Sequence, residues 1–436
     1  LVVNTTPAGV AIFSNRPQGI VVSETGVPDA PLMASGRTYA EVSATGAVNT
    51  GLALANPNNV GVRISFDLRN EGGNIVKSGF KDLEAREHFS GFLDQDPFFA
   101  DRGFRGTFSY TATLPVSVIV LRGLFNERAA SEFLMSTLPV IDLSLGTRTG
   151  TQVIPHFAAG GGFTTQILLV NSTGTPQTGT IEFLDSGSPT RTGLPLEVNI
   201  DGSSKSNTNY LVPANGAAKF VITGALPGLA SGSVHVIPSG GGPVPTPLAI
   251  FTYKPGAVTA SEAIVPVSMG RALRTYVELS SASLINAGIA IANPSAGPGT
   301  VTLSLTGLDG SPVVTETTLQ LPGSGQIVGF LDQLMPSLVG QSVQGVLRIT
   351  TDLPSISFLG LRSHYNERSD FLMSTTPVSL ENAPLGSAER FFPQVANGDG
   401  FTTQFILFSG STGQAATGNV SFFGSAGGTP MSLEVR

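Results

Sequence analysis

The chain contains no cysteine and no tryptophan, and only 12% of its 436 residues are charged, about half the usual share for a soluble domain. Without Cys there is no disulfide, no thiolate metal site and no thiol nucleophile. Lysine occurs only at Lys77, Lys81, Lys205, Lys219 and Lys254, and the net charge is −7. That balance lacks the basic footprint of a nucleic-acid partner. Apolar runs such as 116–121 fall well short of the roughly 20 residues needed to cross a bilayer, so no transmembrane segment is expected. No basic stretch followed by an apolar one opens the chain. What is plentiful is turn material, 53 Gly and 30 Pro, beside 41% hydrophobic residues. A sizeable core is therefore available, in a chain too long for one core.

Self-comparison is the most informative step. TYAE at 38–41 recurs as TYVE at 275–278, GLALANP at 51–57 as GIAIANP at 288–294, and GFLDQ at 91–95 as GFLDQ at 329–333. NER at 126–128 returns at 366–368, FLMST at 133–137 at 371–375, and GFTTQ at 162–166 at 400–404. The offsets cluster at 238 residues. Weaker matches, such as 165–171 with 50–56, divide this long period into two units of about 119 residues, an ordinary domain size. The predicted organisation is 1–37, the last strands of an incomplete module plus a linker; 38–149, 150–274 and 275–389, three modules; and 390–436, the first half of another. Short linkers are expected at 141–149 and 268–274.

Each module reads as β. In the first, strands are predicted at 50–55, 60–70, 74–79, 105–113, 116–125 and 133–139. Arg63, Ser65, Asp67 and Arg69 alternate with Val62, Ile64, Phe66 and Leu68, the period of a strand with one wet face. Asn-Pro, Gly-Gly, Asp-Gly and Pro-Gly turns punctuate the runs. The one helix-like patch, 92–99 and its copy 330–335, is predicted to be a single turn joining two sheets. The fold class expected is all-β, with tandem two-sheet sandwiches in an elongated rod.

The sequence of Asn-Pro turn, long second strand, Phe-Leu-Asp turn and closing Pro-Val strand resembles the tandem immunoglobulin-like repeat proteins of bacterial cell surfaces and extracellular filaments. The resemblance runs along the whole chain and concerns architecture. It implies sandwich topology and an extracellular or cell-surface location, and it brings no catalytic or ligand motif.

Chemistry is hard to find. His88, His156 and His364 fall opposite Gln326, Gln394 and Leu124 in the repeat, so they read as exposed or locally bonded side chains rather than a repeated site. No G-x-S-x-G, Gly-Lys phosphate loop or H-E-x-x-H is present. Asp94, Asp96 and Asp101 are close enough in sequence to suggest calcium, but the second copy keeps only Asp332, and a turn role is preferred. No metal and no cofactor is predicted. Asn-Glu-Arg reads as a hairpin tip with local Glu–Arg pairing. Absent Trp disfavours a sugar-stacking platform, and the 26 Phe are assigned mostly to cores. The third module lacks Lys, which excludes an isopeptide bond there. Asn4, Asn171 and Asn419 head weak glycosylation sequons.

The expectation is a non-enzymatic structural protein, a filament subunit that homopolymerises head to tail through its incomplete modules. Val10, Ile12, Phe13, Ile20 and Val22 would complete a neighbour's Phe401, Gln404, Ile406, Phe408, Val420 and Phe422 by strand addition, with Arg436 as the subunit's end. The alternative is a window from a longer tandem-repeat stalk or adhesin whose binding domain lies elsewhere.

Overall fold

The computed structural model describes residues 7–128, 130–224, 228–381, 389–410 and 418–431; Asn4 and Arg436 lie outside them. All the named strand pairings are antiparallel, and the chain is all-β, with sandwich-like layered sheets.

The alternating segment folds as the strand Val62–Asn70, with Val62, Ile64, Phe66 and Leu68 buried. It pairs with Ile75–Leu83 and with Arg105–Phe125. The latter is one continuous strand, where the sequence suggests two runs. It pairs with Val62–Asn70 up to Ala112 and with Leu32–Glu41 up to Ser117, across a register shift between Met33 and Ser35; from Ser117 it pairs with Val48–Ala55, and from Val120 also with Phe133–Leu138. Pro115 sits at the crossover, where a residue lacking an N–H costs no ladder bond. Both halves face one core, in which Tyr39, Phe66 and Phe108 meet Leu52, Leu54 and Val120. The third unit makes the same crossover with two strands, Val343–Thr351 and Ile356–Tyr365, in separate sheets.

Several local expectations change. The helix-like patch is helical only in the second copy, at Leu331–Leu334. There Gln333 accepts the Phe330 N–H at 3.1 Å, and Gln95 accepts the Phe92 N–H at 3.0 Å in the first copy, which forms only a turn. The segments read as linkers are partly built into sheets. Ile141–Asp142 pairs with Leu32–Glu41, and Met269–Gly270 pairs with Ile356–Tyr365.

The largest departure concerns the ends. The opening strand Ala8–Asn15 lies between Ser23–Pro28 and Phe401–Phe408, in the register Ala8↔Phe408 to Asn15↔Phe401. The two terminal segments thus form one joint sheet within a single chain. Four strands then touch in a circuit: Ser23–Pro28 packs on Phe133–Leu138, that on Ser261–Pro266, that on Phe371–Thr376, and that on Ser23–Pro28. The expected rod is instead a closed ring around these four strands. Apolar cores bridge the units. Leu168, Val170 and Ile250 join the first unit's core, Leu359 and Met373 join the second's, and Tyr276 and Val346 join Val10, Ile12 and Phe408 of the joint sheet.

Candidate functional site

The residues expected to mediate assembly divide into two groups. Val10, Ile12 and Phe13 are buried on the opening strand and face a ladder containing Phe401, Gln404, Ile406 and Phe408. Val22 is buried and donates its N–H to Asn15 at 2.9 Å, and Ile20 caps a short 3-10 turn ahead of the next strand. Val420 is exposed and outside any strand, while Phe422 begins a hairpin, Phe422–Gly424 with Gly427–Met431, that takes no strand from the chain's start. The pairing foreseen between subunits is therefore made within one, by the first group only.

The junctions carry the recurring polar residues. Between the first and second units, Arg122 bridges Glu262 at 2.8 Å and Glu41 at 2.9 Å. Between the third unit and the joint sheet, Arg362 bridges Glu24 and Glu278, the latter at 3.1 Å, and His364 Nδ1 lies 2.9 Å from Glu24. Each guanidinium is pulled down by burial yet held above its ordinary value by its two carboxylates. Burial pushes Glu24 up, but the His364 hydrogen bond and the Arg362 charge outweigh it and bring the carboxyl to about 2.

The agreement extends bond by bond. Arg37 donates to the Asn171 carbonyl at 2.8 Å, and Arg274 donates to the Ser409 carbonyl at 3.2 Å. Asn126 donates to the Thr259 carbonyl and Asn366 to that of Val21. Met135 N–H donates to Ser23 Oγ and Met373 N–H to Ser261 Oγ, both at 2.8 Å. Thr137 Oγ1 donates to the Gly26 carbonyl and Thr375 Oγ1 to that of Ile264. Each pair repeats at the sequence offset, so both junctions made by the joint sheet duplicate junctions in mid-chain.

The Asn-Glu-Arg motifs do lie in hairpin tips, closed by the pairs Phe125↔Phe133 and Tyr365↔Phe371, and Arg128 pairs locally with Glu132 at 3.0 Å, but their Glu side chains reach across units. Glu127 accepts from Lys254 at 2.7 Å and from Thr259 N–H at 2.8 Å; Glu367 accepts from Arg16 at 2.5 Å and from Val21 N–H at 2.9 Å. Burial would raise Glu127, and these bonds bring it to about 2. The arginines cross between the two hairpins, Arg128 to Asp370 at 2.8 Å and Arg368 to Glu132 at 2.6 Å. Glu132 and Asp370 are themselves related by the repeat. Sequence comparison finds the motif but not its partners, since nothing local marks a contact between residues more than 100 positions apart.

The other candidates fall to packing. Burial lowers His156 and His235 to about 4, so neither reads as an exposed side chain. His364 is bonded across a junction, not locally. Among the described residues no three His, Asp or Glu side chains cluster as a metal would require, Asp94, Asp96 and Asp101 included. Asn171 is buried, and its amide donates to the carbonyls of Thr175, Val212 and Pro213, an arrangement Asn56 repeats with Val60, Leu83 and Glu84. A groove of about 490 Å³ beside the second and third units is lined by Phe163, Tyr253, Phe330, Tyr365 and Phe371. Those Phe are only half-buried, against the assignment of Phe to cores.

No helix among the described residues is long and apolar enough to cross a membrane. No protein-family profile, curated protein or solved structure matches this chain.

Proposed function

We propose that the chain is a non-catalytic structural protein of the extracellular space or cell surface, built of tandem immunoglobulin-like units, whose working form is a ring sealed by strand complementation in cis. A head-to-tail filament forms only where the opening strand exchanges into a second copy. The observation that carries this reading is the duplication of junctions. The recurring buried charges, Arg122 with Glu41 and Glu262 and Arg362 with Glu278 and Glu24, hold units together. Strand addition supports both forms, because the same eight-residue ladder satisfies the same backbone groups whichever chain supplies it.

The test uses the absence of native cysteine. Ser14 and Thr402 are partners in the ladder, and a Ser14→Cys/Thr402→Cys variant is oxidised and run on a non-reducing gel. The expected product is a monomer of altered mobility. A disulfide-linked ladder of oligomers at low protein concentration would refute closure in cis and leave the filament as the working form.

A further inference from the structure

The groove beside the second and third units has a filled counterpart in the other half of the chain. In the first unit Phe133 pairs with Phe125 across a hairpin, its ring lies over Gly123, and it meets the Phe92 ring edge to face at 5.9 Å. A Cβ on residue 123 would stand 2.4 Å from the Phe133 ring, so this packing requires glycine there.

In the other half Ser363 stands at the Gly123 position, facing Asn286 as Gly123 faces Asn49. Its Cβ denies Phe371 the place that Phe133 takes. Phe371 keeps its hairpin partner, now Tyr365, but meets Tyr253 edge to face at 5.8 Å, where the first half has Asn15 and no ring. Among the described residues no ring contact joins Phe371 to Phe330, the counterpart of Phe92. Both rings instead line the groove of about 490 Å³, a size within the usual range of small-molecule sites. A glycine-to-serine difference thus separates a packed aromatic cluster from an open space with aromatic walls.

Two further observations limit what fits. No charged side chain lines the groove among the described residues, and an ion would lose hydration there without a counter-charge. The hydroxyls of Ser281, Tyr253 and Tyr365 and the amide nitrogen of Asn286 make no hydrogen bond within the described residues, although all four residues line the groove. The first half also shows what belongs between the walls, because the matching space there holds a benzene ring against the edge of another.

We infer that this groove is a binding site for a small neutral aromatic alcohol of the phenol or naphthol class. The ligand's ring takes the place that Phe133 fills in the first unit, and its hydroxyl bonds to the tyrosine, serine and asparagine groups of the lining. The inference goes beyond the structural role proposed above and uses no residue of the joint sheet, so its failure and the failure of ring closure are separate.

The experiment uses the full chain and β-naphthol, whose own fluorescence is readable because the chain has no Trp. Saturable binding at a single site is expected, with a Kd on the order of 0.1 mM. Ser363→Gly gives Phe371 the place that Phe133 has, and should weaken binding at least about tenfold with unchanged far-UV circular dichroism. Phe330→Ala removes a wall and should weaken it by a similar factor. A Tyr253→Phe/Tyr365→Phe chain keeps both rings and loses both hydroxyls, for an expected loss of about fivefold. The anion β-naphthoate should bind at least about tenfold more weakly than β-naphthol. Absence of saturation up to about 1 mM β-naphthol overturns the inference. So does an affinity that neither Ser363→Gly nor Phe330→Ala changes; should Ser363→Gly fail to fold, Phe330→Ala alone decides. Equal binding of β-naphthoate overturns the neutral class, and equal binding of methyl β-glucoside overturns the aromatic one.

Discussion

Replacing Arg122 with Met tests whether the ring is held by its buried ion bridges. The guanidinium is 5% exposed and sits between Glu262, 2% exposed, at 2.8 Å and Glu41, 12% exposed, at 2.9 Å. Methionine matches much of the volume but strands two buried carboxylates. Glu41 keeps Lys219 at 3.7 Å, whereas no other ion pair to Glu262 is seen among the described residues. Removing one partner of a buried pair costs about 3–5 kcal/mol, and most of that here is the isolated charge on Glu262. Urea unfolding followed by far-UV circular dichroism, suited to a chain without Trp, should show a loss of that size at pH 7.5. Two further results separate the charge from lost packing. Protonation relieves a stranded carboxylate, so the deficit against wild type should shrink as pH is lowered from 7.5 to 5.5. The double variant Arg122→Met/Glu262→Gln should regain at least about 2 kcal/mol, because an amide carries no charge to desolvate. A deficit below about 1 kcal/mol, or one unchanged by pH and by the second substitution, would refute the reasoning.

The buried histidines give an acid dependence of known sign. Their folded values, about 4 for His156 and His235 against 6.5, mean that only the unfolded chain takes up protons between those limits. Stability is therefore full above pH 6.5 and falls toward pH 4 by about 1.4 kcal/mol per pH unit for each histidine; His235→Leu should remove about half the slope in a urea-midpoint series. Glu24, held at about 2, adds a second loss only between pH 4.5 and 2. Gly26→Ala places a methyl 2.2 Å from the Thr375 carbonyl and 2.9 Å from Pro377, which forces the central strands apart. A loss of about 1–3 kcal/mol is expected by thermal unfolding, against little change for Gly146→Ala, which meets nothing within 4 Å. Asn293→Ala leaves the Gly297 and Pro322 carbonyls, bonded at 2.8 and 3.1 Å, without their donor, and about 1–3 kcal/mol of stability should go with it in the same assay.

The β character is legible because it is local. The alternation from Val62 to Arg69 survives as alternating burial, and the Asn-Pro turns survive because Asn56 and Asn293 bind the loops they begin. The Arg105–Phe125 strand reads as two because Pro115 looks like a terminator in sequence, whereas at a crossover it breaks no ladder. The linker segments mislead because each lies between two longer strand patterns and shows no alternation of its own; Asp142 and Gly270 pair as short edge strands, where side chains need not be buried. The junction charges are visible as repeats and opaque as partners. Arg122 and Glu262 are 140 positions apart, and Arg362 and Glu24 are 338 apart, so spacing carries no sign of either contact.

Ring closure follows from a symmetry that sequence similarity alone does not determine. An offset of 238 residues makes the two halves of the chain alike, and like halves joined through unlike surfaces yield either an open helical array or a closed figure. The deciding quantity is the rotation per half. Here the first-to-second-unit junction, with Arg122 on Glu262, reappears between the third unit and the joint sheet, with Arg362 on Glu24. The joint-sheet-to-first-unit junction, with Thr137 on Gly26, reappears between the second and third units, with Thr375 on Ile264. Each junction occurs twice and the circuit ends where it began, the arrangement an approximate twofold gives, and between the hairpins Arg128 meets Asp370 while Arg368 meets Glu132. A twofold closes after two copies and leaves no surface of that kind to propagate. Under the proposed strand exchange, growth beyond one chain would require withdrawal of Ala8–Asn15 from its own sheet, which uncovers Ile406 and Phe408 together with Tyr276 and Val346. On the proposed reading, that exposed apolar surface is what opposes conversion of the ring into a fibre.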